Sequence, residues 1–203
     1  MLIRTLPVGP IETNCYVVSD ENTPDCAVID PGAEAAKILD YIESFKLKCK
    51  HVLLTHAHFD HVGAVPEILE ETGAKLYMHE KDNGVPIGSE PYGFNAPADT
   101  VFIKEGDIIE VGPLKFRVME TPGHTPGGVC FICQNSIFSG DTLFSGSRGR
   151  TDFAMGSTKD LMASLYRLCQ LKEDYDVYPG HMGSTSLEKE KRYNYFMHMA
   201  CSK

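Results

Sequence analysis

Val52-Leu53-Leu54-Thr55-His56-Ala57-His58-Phe59-Asp60-His61 is the stretch on which the reading of this chain turns. Its opening residues, with His51 before them, read as a β-strand over 51–55. Four side chains able to bind a metal then fall within six positions. Burying such groups without partners is costly, whereas cations would satisfy all four. His56 and His58 lie two apart and share a face if the strand geometry persists. Asp60 and His61 fall on the turn into the following helix, free to aim at a second ion.

Working outward, three later stretches repeat this arrangement. Thr121-Pro122-Gly123-His124-Thr125-Pro126-Gly127, Gly140-Asp141 and Pro179-Gly180-His181 each place a potential ligand just past a strand. Proline fixes φ and glycine permits tight approach, so each side chain is held in a rigid turn. Strands are expected at 2–6, 15–19, 26–30, 51–55 and 75–79, then at 108–111, 116–121, 129–133, 136–139 and 176–178. Helices are expected at 33–45, 62–72, from Ser157 or Thr158 to about 171, and at 187–199. Residues 82–100 and 145–156 read as loops. Strands cluster and then yield to helices in each half. This predicts an α/β fold of two sheets packed face to face with helices outside.

The 203 residues suit one domain, 1–203, and the 42% hydrophobic and 23% charged shares are those of an ordinary globular protein. No apolar run is long enough to span a membrane, and the N-terminus lacks the apolar core of a signal peptide, so the expected location is cytoplasmic. A net charge of −9 with scattered basic residues argues against nucleic acid as a partner. The expected partner is a small-molecule substrate, with no membrane association; the oligomeric state stays open. Lys189, Lys191 and Arg192 alternate with Glu188 and Glu190 as on a solvated helix face. Seven cysteines at irregular spacing do not suggest a disulfide framework. Cys130 and Cys133, three apart on a strand, point to opposite faces and read as buried hydrophobes.

The order HxHxDH, TPGHTPG, GDTLF and PGH resembles the metallo-β-lactamase superfamily, and most of all its small glyoxalase II-like hydrolases. The likeness extends to Thr13-Asn14-Cys15-Tyr16 and Val28-Ile29-Asp30-Pro31-Gly32, and Gly149–Asp152 matches the GRTD of the short members. The resemblance implies a four-layer αβ/βα sandwich of two mixed sheets. It implies one ion on His56, His58 and His124, a second on Asp60, His61 and His181, and Asp141 bridging them. Asp30 would support the metal loop from beneath. Zinc is the first expectation for the two divalent ions; iron or manganese would suit the same ligands.

Two divalent ions bring four positive charges; Asp60 and Asp141 remove two and a shared hydroxide one. The centre keeps a charge of about +1, which favours an oxyanion developing on substrate. Water on zinc has a pKa of roughly 7, so hydroxide attack on a thioester carbonyl is the expected reaction. A thiolate, from a thiol of pKa about 8.5, leaves with little proton help. The alternatives are a mononuclear iron persulfide dioxygenase using His56, His124 and Asp141, or a lactonase or phosphodiesterase. Asp60 and Asp141 are the catalytic expectations. Arg150 could bind a substrate carboxylate, or be tied up by Asp152. Arg148 reads as a structural loop arginine and His79 as a hydrogen-bonded structural histidine. Tyr92, Phe94, Phe144 and Phe153 could wall a pocket or pack the core.

Overall fold

The computed structural model describes residues 1–84 and 93–202. One six-stranded sheet has the order β1(Leu2–Val8), β2(Thr13–Ser19), β3(Asp25–Ile29), β4(Lys48–Leu53), β5(Lys75–His79), β6(Val101–Ile103). Its first three strands are antiparallel neighbours and the rest are parallel. The second sheet is built from β7(Ile108–Val111), β8(Leu114–Glu120), β9(Val129–Cys133), β10(Ser136–Gly140), β13(Asp176–Pro179) and β14(Thr185–Ser186). In that sheet β13 lies between β14 and β10, parallel to β10. A small hairpin, β11(Leu143–Phe144) with β12(Ser147–Arg148), stands apart. The helices are α1(Ala35–Ser44), α2(Phe59–Val62), α3(Val65–Thr72), α4(Thr158–Cys169), α5(Leu187–Tyr193) and α6(Tyr195–Cys201).

Strand β2 shows how the layers arise. All seven of its residues are buried. Cys15 and Val17 pack with Ile38 of α1 and Ile68 of α3, while Tyr16 and Val18 pack with Phe116, Phe131 and Phe138 of the second sheet. Strand β9 does the same: Phe131 and Cys133 enter the core between the sheets, and Cys130 and Ile132 face the layer formed with Leu165 of α4 and Met197 of α6. Alternation along a strand buried on both faces thus gives helices, sheet, sheet, helices. Cys130 and Cys133 occupy opposite faces, as strand periodicity requires.

Several expectations need correction. The helix expected at 62–72 begins earlier and is interrupted: α2 carries Phe59–Val62 and α3 starts at Val65, with Pro66 in its first turn. The closing helix expected at 187–199 breaks at Asn194, whose side chain caps α6 by accepting from the Phe196 and Met197 N–H groups. The loop 145–156 contains part of the β11–β12 hairpin. The cysteines do include one disulfide, Cys169–Cys201, joining the ends of α4 and α6. Spacing along the chain gave no hint of it, because the helices bring together two positions 32 residues apart. Tyr92 and part of the loop expected at 82–100 lie outside the described residues. Among the described residues no helix is long and apolar enough to cross a membrane.

Candidate metal centre

Strand β4 ends at Leu53, so His56 and His58 sit on the loop beyond it and not on the strand itself. They nevertheless converge: His56 Nε2 is 3.0 Å from His58 Nδ1, and His124 Nε2 is 2.8 Å from that same Nδ1. The other ring nitrogens fix which atoms carry protons. Asp30 accepts at 2.6 Å from the Thr55 hydroxyl, leaving the Thr55 oxygen to accept from His56 Nδ1 at 3.1 Å. His124 Nδ1 donates to the Arg150 carbonyl at 2.7 Å. Both Nε2 atoms therefore present lone pairs toward His58, whose Nε2 is buried without a partner. Three imidazole nitrogens converge here, two of them presenting lone pairs to the third, an arrangement that suits a cation.

A second group lies alongside. Asp60 Oδ2 is 3.3 Å from His61 Nε2 and 3.2 Å from His181 Nε2. Within each of the sets His56–His58–His124 and Asp60–His61–His181, one ligand atom per residue lies within 4.8 Å of the others. Asp141 stands between the sets, with Oδ1 3.5 Å from His61 Nε2 and Oδ2 3.3 Å from His124 Nε2 and 3.6 Å from His181 Nε2. His61 Nε2 and Asp141 Oδ1 are buried without hydrogen bonds. Asp30 Oδ2 lies 3.0 Å from His61 Nδ1, and its Oδ1 accepts from the Thr55 N–H at 2.8 Å. This places Asp30 beneath the metal loop. The donor set, hard carboxylates and imidazoles with orphaned buried atoms, fits divalent metal.

Close backbone packing holds these turns. Gly180 N donates to Gly140 O, and Asn14 N donates to Gly180 O, setting His181 beside Asp141. A Cβ on Gly180 would overlap Asp141 Oδ1 and His61 Cε1. Gly140 has φ +47°, and a Cβ there would strike Thr55. Thr13 donates its hydroxyl to Asp60 Oδ2 at 2.9 Å; Asn14 donates to the carbonyls of Pro179 and Met182.

Asp82 is a site residue that sequence reasoning missed. It is buried and accepts from Ala57 N, Thr125 Oγ1 and Gly127 N, at 3.2, 2.8 and 2.6 Å, so it ties the first histidine loop to the His124 loop. A lone aspartate in a loop-like stretch carries no signal of this; only the strand layout brings the loops together.

The centre opens into a cleft of about 760 Å³ whose lining includes Ile11, Phe144, Phe153, Arg148 and Arg150. Phe94 packs against the helix-side core instead. Arg150 forms a two-pronged ion pair with Asp152 at 2.7 and 2.6 Å and lies over Phe153. His79 bonds Glu120 at 3.2 Å and accepts from Lys81 N, a structural role away from the centre.

The model of the metallo-beta-lactamase superfamily matches residues 8–181, the span that holds every one of these candidate ligands. The chain belongs to the metallo-beta-lactamase superfamily. Hydroxyacylglutathione hydrolase GloC of Haemophilus influenzae is 36% identical over 97% of this chain and 98% of its own. Among solved structures, the BLEG-1 B3 metallo-beta-lactamase superposes with a TM-score of 0.87 at 33% identity, covering 97% of this chain and 99% of that one. The di-iron-bound form of TTHA1623 gives 0.82 at 35% identity, covering 95% and 99%. As a superfamily member the chain is a metal-dependent hydrolase by descent, and its two mixed sheets flanked by helices are the fold of these neighbours.

Proposed function

We propose that this protein is a dinuclear metal-dependent hydrolase of acyl thioesters. The observation that carries the reading is the pair of three-residue ligand groups with Asp141 between them, at the floor of an open cleft. His56, His58 and His124 would hold one divalent ion and Asp60, His61 and His181 the other; zinc suits these ligands, and iron or manganese would as well. Two such ions supply an acidified water near neutral pH and an electrophile for a carbonyl oxygen.

The remaining work falls to the chain's own residues. Groups behind the imidazoles hold them: hydrogen bonds from His56 to Thr55 and from His124 to the Arg150 carbonyl, and the Asp30 carboxylate 3.0 Å from His61 Nδ1. Phe144, Phe153 and Ile11 give the cleft an apolar wall that would exclude water from a bound acyl chain. Among the described residues lining the cleft there is no lysine, tyrosine, cysteine or glutamate, and its aspartates and histidines are all ligand candidates. An amine leaving group wants an acid, whereas a thiolate departs unaided from a thiol of pKa about 8.5. The likeness to a hydroxyacylglutathione hydrolase supports the same choice.

The test is to load the purified protein with zinc, iron or manganese and assay S-lactoylglutathione and simpler thioesters. Turnover with kcat/KM of roughly 10⁴ M⁻¹s⁻¹ or more is expected for at least one of them. Two bound metals with no thioester turnover would contradict the reading, as would a single iron with oxygen uptake on a persulfide.

A further inference from the structure

Two arginines sit on or just after the hairpin that follows Asp141, and their surroundings differ. Arg150 is 62% exposed, and its charge is neutralised by Asp152. Arg148 is half-buried in the same cleft lining. One of its terminal nitrogens donates to Gly149 O at 2.8 Å and lies 3.5 Å from Thr151 Oγ1. Its Nε is buried with no partner, and among the described residues no carboxylate forms an ion pair with it. Its guanidinium lies over the Phe196 ring, 4.8 Å from the centroid.

We propose that Arg148 reads a carboxylate carried by the substrate, so that the preferred thioester is anionic. This rests on the thioesterase reading above and narrows it. A partly buried cation without a counter-ion is unfavourable, and an anion in the cleft would relieve it. Guanidinium has five N–H donors in a rigid plane. The Phe196 contact and the bond to Gly149 hold the group in place and leave its second terminal nitrogen, which bonds none of the described residues, free to donate to a carboxylate. Asn194 holds the support in turn: it caps α6, which carries Phe196, and donates to Ser147 O at 2.9 Å on β12. Arg150 lacks this uncompensated charge.

The experiment compares three thioesters: S-acetyl-N-acetylcysteamine, which is neutral; S-acetyl-N-acetylcysteine, with a carboxylate on the thiol half; and S-succinyl-N-acetylcysteamine, with one on the acyl half. The better anionic substrate identifies the half that Arg148 contacts. In Arg148→Gln the ratio of its kcat/KM to that of the neutral one should fall at least tenfold, through KM, and Arg148→Lys should recover part of it. Calorimetric binding of the matching thioethers, in which a methylene replaces the carbonyl, should lose the same discrimination. An unchanged ratio and unchanged thioether discrimination in Arg148→Gln would overturn the proposal. So would an equal loss on neutral and anionic compounds, the mark of a merely structural arginine. Thioethers discriminated through Arg148 with no thioester hydrolysed would sink the hydrolase reading and leave the arginine's role standing.

Discussion

Asp141 and Asp30 are both aspartates in contact with His61, yet their positions imply different effects on removal of the charge. Asp141 faces imidazoles of both ligand groups through its two oxygens. Asp141→Asn should leave fewer than two metals per chain and lower kcat/KM by roughly 10²–10³-fold, the scale of one lost contact to developing charge. Retention of both ions and most of the rate would remove Asp141 from between them. Asp30 bonds Thr55 and lies against the back of His61. It has φ 51°, a conformation asparagine tolerates, so Asp30→Asn tests charge without backbone strain. The expected result is metal affinity weakened about 10–100-fold, measured by competition with a chromophoric chelator.

The histidines also divide by pH. In the metal-free protein, burial first and neighbouring imidazoles second push His56 well below the ordinary 6.5, and His58 to about 3. Burial is the largest single effect on His61 and His181 and lowers both, but the carboxylates around them together outweigh it: Asp30, Asp60 and Asp141 for His61, Asp60 and Asp141 for His181; both end above 6.5. A metal must therefore displace protons from His61 and His181 near neutral pH, but not from His56 or His58. Since proton competition grows as pH falls, the Asp60–His61–His181 ion should leave first on acidification and the three-histidine ion at lower pH. Metal content after dialysis across pH 8 to 4 should fall in two steps; one joint step would contradict this.

At the scale of elements, Asn194 is the joint between α5 and α6 and the anchor of the β11–β12 hairpin. It is fully buried and donates to Ser147 O and Glu190 Oε2 while capping α6. Asn194→Ala removes a cap worth about 1 kcal/mol and leaves a buried acceptor unpaired at about 1–3 kcal/mol. A loss of about 2–4 kcal/mol in urea unfolding is expected, with KM rising because the hairpin carries Phe144 and Arg148. A loss under 1 kcal/mol would show the joint is redundant. This break was not legible in the sequence, since Leu187 and Met197 keep their buried faces across it. The ten longer strands were legible, because alternation or apolar runs bounded by Gly and Pro mark them; the short β6, β11, β12 and β14, of two or three residues each, were not. The metal loops were legible through the residue types in His56–His61. Asp82 and the Cys169–Cys201 bond were not, as each depends on elements meeting far along the chain.

Across the whole molecule, the candidate ligands come from both halves of the chain: His56 and His58 from the loop after β4 and Asp60 and His61 from α2, then His124, Asp141 and His181 from turns that follow strands of the second sheet. The core between the sheets brings these segments to one edge, so metal binding there would reinforce the packing of the two sheets. Anomalous diffraction from crystals loaded with zinc or iron measures this most directly. Two peaks are predicted, roughly 3.5–4 Å apart, one within the His56–His58–His124 group and one within the Asp60–His61–His181 group, with Asp141 reaching both. A single peak, or peaks away from these side chains, would contradict the account.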